Sequence, residues 1–242
     1  MREYFSVTTE KKNQPTSYTP HTEPKMNKLQ KNGKMVKLQR KSTHWGVDLP
    51  DDLVLTTTAE LSEEAFEQLC AKNRDLRIEH EADGKVTIMA PVHFDSGFFE
   101  GEAFGELRLF VKESRIGGRA LGSSTGFKLP DGSTKSPDAA WISAEKLANL
   151  PAEERKKFAA VVPDFVIEIR SDSDKLKPLK QKMEETWIAN GVRLAWLIDP
   201  VKQKAYIYRQ DGSIELVPNF DGKLSGEDVL VGFELDLGLL KG

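Results

Sequence analysis

One cysteine, Cys70, is all that 242 residues contain. That scarcity excludes an intramolecular disulfide and a zinc site built on several thiolates, and it points to a reducing cytoplasm. Cys70 follows Leu69 in a stretch of helical character, so it reads as a small buried side chain rather than a nucleophile. Long apolar runs are also missing. No stretch approaches the roughly 18–20 consecutive apolar residues of a membrane span, so no membrane partner is expected. The first charges are followed by no apolar core of the kind a secretory signal needs. GxxxxGK[ST] and GxGxxG are absent, which removes the usual phosphate-cradling loops. His44, His80 and His93 lack HExxH or similar spacing, which argues against a histidine metal site.

Charge is present but unevenly spread. Residues 1–41 hold ten Lys or Arg against three Glu, a balance of +7, and the whole chain carries −3. Residues 42–242 therefore carry −10, with 25 basic and 35 acidic side chains. Residues 1–44 are rich in Lys, Asn, Gln, Thr and Pro and poor in large apolar groups, so they read as a disordered basic tail. Translation from Met26 or Met35 would remove much of it. The alternative reading is an electrostatic arm for nucleic acid. Residues 45–242 read as a single acidic domain. An acidic body does not suit a protein that simply coats nucleic acid. It does suit a site where a cation offsets local carboxylates.

Periodicity then lays out the domain. Residues 45–57 look extended. Ser62, followed by Glu63 and Glu64, predicts the capped start of a helix over 62–73. Asp83-Gly84 between two alternating runs predicts a β-hairpin within 76–89. A helix is expected over 97–114 with Phe98, Ala103, Phe104, Leu107 and Val111 facing inward. Short strands follow at 119–121, 126–129 and 138–142, with a short helix at 144–149. A strand is expected at 164–170, a helix at 175–190, and further strands at 194–198, 204–209, 213–217 and 232–237. The pattern is α/β (α+β): one mixed central sheet flanked by helices, with an additional N-terminal helix and hairpin.

Pro163-Asp-Phe-Val-Ile-Glu-Ile-Arg-Ser171 is the centre of this layout. Val166, Ile167 and Ile169 predict a buried strand, and Glu168 interrupts it with a carboxylate. A lone buried carboxylate is costly unless it is paired or binds a metal. Asp138, after Pro137 at the head of the preceding strand, is the available partner. If the two strands are neighbours, the carboxylates converge, and they repel unless one is protonated or a cation lies between them. Mg²⁺ favours a few carboxylates plus water. Lys180 and Lys182 on the next helix are candidates for the lysine of such a site, and Arg170 lies two residues beyond Glu168.

These residues resemble the PD-(D/E)xK nucleases, and the wider pattern resembles the Uma2, or DUF820, family, abundant in cyanobacteria. The matching segments include Ser124-Thr-Gly-Phe-Lys-Leu-Pro, Ser136-Pro-Asp-Ala-Ala-Trp, the Glu168 strand, Lys180-Gln-Lys-Met and Gly191-Val-Arg-Leu-Ala-Trp-Leu-Ile-Asp-Pro. The resemblance spans about residues 55–240. It implies a restriction-endonuclease-like fold and a Mg²⁺-dependent (or Mn²⁺-dependent) endonuclease acting on DNA, with a homodimer as a common assembly. It gives Asp138 and Glu168 the metal-ligand roles, Lys182 the catalytic lysine role, and Glu102 the role of the glutamate from the first core helix. Arg170 stands where the family's lysine usually lies. A catalytically silent binding module on the same fold, or a nuclease acting on RNA, are the alternative functions.

Overall fold

The computed structural model describes residues 60–241 throughout, together with the backbone of three short strands before them. β1 (Leu29–Lys31) and β2 (Lys34–Val36) pair as a two-stranded sheet within the stretch read as a tail. The rest of that stretch lies outside the described residues. So does the extended run at 45–57, apart from β3 (Leu55–Thr56).

The main chain order begins with α1 (Glu63–Lys72), capped as expected by Ser62, whose hydroxyl accepts from the Ala65 amide. β4 (Arg77–His80) and β5 (Val86–Met89) form the predicted hairpin, with Gly84 at a φ of +79° in its turn. Helix α2 (Phe94–Glu113) follows, then β6 (Arg119–Gly122), β7 (Phe127–Lys128), β8 (Thr134–Lys135) and β9 (Ala139–Ile142). Beyond α3 (Ala144–Asn149) come β10 (Phe165–Ile169), α4 (Leu176–Gln181) and a π-helical segment, Lys182–Ile188. The chain closes with β11 (Leu194–Asp199), β12 (Lys204–Arg209), β13 (Ile214–Val217), β14 (Lys223–Ser225) and β15 (Glu234–Asp236).

Six strands make the central mixed sheet, in the order β13-β12-β11-β10-β9-β6. β10 runs parallel to β11, joined by the α4/π-helical crossover, and antiparallel to β9. All five residues of β10 are buried, as a strand covered on both faces requires. Its odd residues, Phe165, Ile167 and Ile169, pack under α2 with Ala103, Leu107 and Val111. Its even-numbered Val166 packs with Met183 and Trp187 on the opposite face. Each fully buried residue of this size contributes roughly 1.5–3 kcal/mol relative to exposure.

The structure adds to or differs from the expectations at three points. The hairpin does not stand alone: it sits inside a second, antiparallel sheet ordered β3-β5-β4-β8-β7. The expected strand near 232–237 is β15, and it pairs only with β14, apart from the central sheet. Helix α2 also turns differently. Its buried stripe of Ala103, Leu107 and Val111 extends back to Phe99, which packs on the core, while Phe98 is half exposed. The spacing of four continues the stripe through residue 99, so residue 98 falls off it.

Candidate active site

The chain passes from the second sheet to the central one through Ser136-Pro137-Asp138, between β8 and β9. Proline suits this crossing because it lacks an amide donor and holds an extended turn. The crossing is pinned from both sides. The Ser136 amide donates to Glu79 Oε1 at 3.1 Å, and Arg77 donates to the Ser136 carbonyl at 2.9 Å. Both partners come from β4, so the second sheet determines where Asp138 sits.

Ala139 lies opposite Ile167 in the antiparallel β9–β10 ladder, so Asp138 follows on opposite Glu168. Sequence reasoning made their convergence conditional on neighbouring strands, and the strands are neighbours. Both side chains are buried, Asp138 at 7% and Glu168 at 5% exposure. Asp138 Oδ2 accepts the Ile169 amide at 2.7 Å, and Oδ1 faces Arg77 at 3.5 Å, the long limit of a hydrogen bond. Glu168 Oε1 accepts the Trp187 indole N–H at 2.7 Å and faces Lys182 Nζ at 2.7 Å.

The π-helical segment explains how one oxygen meets both donors. Its winding is closed by amides that bond five residues back, as Ala189 does to Glu184. Residues five apart then share a face, whereas in an α-helix they would diverge. Lys182 and Trp187 are five apart, and both point at Glu168. The resemblance placed the lysine on this helix, while the π-helical winding that aims it has no signature in the residues.

Electrostatics mark the cluster. Burial and the nearby Glu100 push the Asp138 carboxyl up, against the pull of Arg77, the Ile169 amide and Lys182. Burial also lifts Glu168, with Lys182 opposing and Asp138 adding to the rise. Lys182 shows the reverse balance. Burial alone would lower it, but Glu168, Glu79 and Asp138 hold the ammonium above the ordinary lysine range. The cluster is short of positive charge, and its one lysine stays protonated.

The resemblance gives Glu102 the role of the α2 glutamate, whereas the α2 glutamate whose charge interacts with Asp138 and Glu168 is Glu100. Its carboxyl is raised by burial, by Glu168 and by Asp174, with Arg77 pulling it down, and it acts in turn on Asp138. Two residues are about 200° around an α-helix, so the face that presents Glu100 turns Glu102 away. Arg170, two residues past Glu168, does not join either: its Nη1 donates to both oxygens of fully buried Asp199, 3.0 Å to each. Arg77 was missed altogether. Its long-range neighbours Ser136 and Asp138 lie 59 and 61 residues away in sequence, and no local pattern announces such a contact.

Among the described residues no group of three His, Cys, Asp or Glu side chains is arranged to hold a metal ion. Asp138 and Glu168 do supply a pair of hard oxygen donors whose mutual repulsion a cation would relieve. Mg²⁺ is commonly held by one or two carboxylates plus water and substrate phosphate, so the pair fits that mode and a closed protein cage is absent.

A mixed sheet that brings an aspartate and a glutamate together at one end, with helices on its faces, defines a restriction-endonuclease-like protein. A solved structure of the same architecture is that of "a putative nuclease belonging to DUF820" from Anabaena variabilis ATCC 29413. It has a TM-score of 0.57 and 21% identity, covering 67% of this chain and 88% of that one. The profile of the Uma2 family, described as "putative restriction endonuclease", matches residues 63–238, and the chain belongs to that family. None of the curated proteins compared matches the chain.

Proposed function

We propose that the chain is a divalent-metal-dependent nuclease that hydrolyses phosphodiester bonds in DNA. The observation that carries this reading is the meeting of Asp138 and Glu168 on neighbouring strands, with Lys182 at 2.7 Å from Glu168. Two buried carboxylates beside an obligate cation explain little as a structural device, since buried ion pairs are weak contributors to stability. They make sense as one half of a site whose other half is a metal ion and a phosphate.

Asp138 and Glu168 would hold Mg²⁺ or Mn²⁺, with Glu100 replacing Glu102 as the nearby third carboxylate. When bound, such an ion makes water more acidic and offsets charge on a phosphoryl group. The chain's own groups do the positioning. The Ile169 amide fixes one oxygen of Asp138, and the Trp187 indole fixes one oxygen of Glu168. Lys182 keeps its proton on Nζ, so it serves as a hydrogen-bond donor to a charged phosphate oxygen and not as a base.

Solvent-facing aromatic groups favour a second reading, a binding module without catalysis. Phe94 is 90% exposed and Phe98 49% exposed at the start of α2, close to the cluster's Glu100. Such groups suit a partner surface, including a second copy of the chain. RNA is the alternative substrate. No helix among the described residues is long and apolar enough to cross a membrane.

The test is calorimetric titration of the full chain with Mg²⁺ and Mn²⁺, followed by a cleavage assay on DNA and RNA. Metal binding that disappears in Asp138→Ala, together with metal-dependent cutting of DNA, is the expected result. An absence of metal binding by the unaltered chain would sink the enzyme reading.

A further inference from the structure

Arg77 touches Asp138 on one side and lines a groove on the other. Two cavities of about 500 and about 410 Å³ share Cys70, Arg74, Ser124 and Phe158, so they are two parts of one groove. Lys156 and Lys157 stand in the outer part, and Arg77 and Ser136 in the inner part. Ser136 is two residues from Asp138, and the Arg77 guanidinium is 3.5 Å from its carboxylate. The inner end of the groove is therefore closed by Arg77, the side chain that faces the Asp138 carboxylate.

Its charge runs against the acidity of the domain. Arg74, Arg77, Lys156 and Lys157 face only Glu67 and Asp75 along it. These cations are also available. Arg74 is exposed and makes no ion pair among the described residues. Lys156 and Lys157 pair with Glu153 and Glu154 in exposed i,i+3 contacts, which are weak and exchange readily for a phosphate. The Arg77 Nε is buried without a hydrogen-bond partner, so its guanidinium has donor capacity left. The Phe158 ring forms one wall against Gly126, where a Cβ would meet it at 2.7 Å, and glycine keeps that side of the groove clear.

We propose that this groove is the track for the phosphodiester backbone of duplex DNA, leading a strand past Lys156, Lys157 and Arg74 to Arg77 beside Asp138. The proposal rests on the nuclease reading and adds the direction from which substrate reaches the site. Phosphate contacts of this kind give affinity without sequence preference and make it dependent on salt.

The test measures equilibrium binding of a fluorescent DNA duplex to the full chain in EDTA over a range of salt concentrations. It compares the unaltered chain with Lys156→Ala/Lys157→Ala and with Arg74→Ser, all exposed positions where folding is safe. Cys70 alkylation with and without DNA reports locally on the groove. The double variant is expected to weaken binding roughly 10- to 100-fold and flatten the salt slope by about 2, at about 0.9 per lost phosphate contact. Bound DNA is expected to slow Cys70 alkylation. If the duplex binds with an unchanged slope in both variants and leaves Cys70 equally reactive, the basic N-terminal residues or another surface carry the DNA. The groove proposal is then overturned while the nuclease reading stands. If the unaltered chain binds no duplex at all, both fall. A single-stranded RNA competitor that displaces the duplex only from the unaltered chain would assign the groove to RNA and overturn the choice of DNA.

Discussion

Lys182 Nζ lies 2.7 Å from Glu168 Oε1, the same oxygen that accepts the Trp187 indole. The lysine reaches it from the following helix instead of from the strand, and the position two residues past Glu168 is occupied by Arg170, which is committed to Asp199. Because three carboxylates hold Lys182 protonated, its contribution is charge and hydrogen bonding, not proton abstraction. Lys182→Gln is expected to lower the cleavage rate on the order of 100-fold, the scale of losing one preorganised charged donor. Metal binding should persist, since Glu168 loses a competing cation. Cleavage within threefold of the unaltered chain, with metal binding intact, would remove Lys182 from the mechanism.

The Asp138 carboxyl makes a linked prediction about stability. Burial, then Glu100, pushes it from 3.8 up to about 6. For an acid raised on folding, the folded chain holds the proton more tightly between pH 4 and 6, so stability falls as pH rises through that window and stays lower above it. A rise of about two units corresponds to something like 1–3 kcal/mol of strain at pH 8 in the metal-free chain. Asp138→Asn removes the charge and keeps an oxygen for the Ile169 amide. In EDTA its melting temperature should exceed that of the unaltered chain at pH 8, and the gap should close towards pH 4. Thermal unfolding at both pH values decides it. A variant that melts lower at pH 8 would mean that Asp138 is already stabilised without metal, by Arg77.

Local features were the legible ones. Ser62 before two glutamates marked the start of α1, Asp83-Gly84 marked the hairpin turn, and the β-branched run marked β10 with its misplaced carboxylate. The pairing of β9 with β10 was a condition of the reading, and the ladder meets it. Long-range placement was less legible. β4 pairs with β8 across more than fifty residues, and that contact lets Glu79 and Arg77 hold Ser136 and Asp138 in place. Nothing local encodes it. The phase of α2 was also hidden. Several phenylalanines are spaced so that more than one apolar stripe is available, and only packing on β10 selects the stripe through Phe99, Ala103 and Leu107. The resemblance alone pointed to Glu102, and it carries no information on that phase.

That phase can be tested directly. Glu100→Gln is expected to weaken Mn²⁺ binding several-fold, because it removes a negative charge that acts on both Asp138 and Arg77. Glu102→Gln should leave binding within twofold. Titration calorimetry of the two variants side by side is sufficient. The opposite ranking would restore the original assignment and place the turn of α2 in error.

The chemistry of Cys70 can be measured without any assumption about substrate. It lies on α1 at the shared middle of the basic groove, half-buried beside Phe158 and Arg74. Burial, with Glu67 adding repulsion, pushes its thiol from 9.0 up to about 11. Two units mean roughly a hundredfold fewer thiolates at any pH below 9, and the thiolate is the reactive form. Iodoacetamide at pH 8 should therefore modify Cys70 on the order of 100 times more slowly than it modifies free cysteine. Glu67→Gln should recover a small part of that rate, and unfolding in denaturant should recover nearly all of it. Mass spectrometry of timed samples gives both numbers. Fast modification of the folded chain would show a thiol that is exposed and activated, and would reopen Cys70 as a chemically active residue beside the groove.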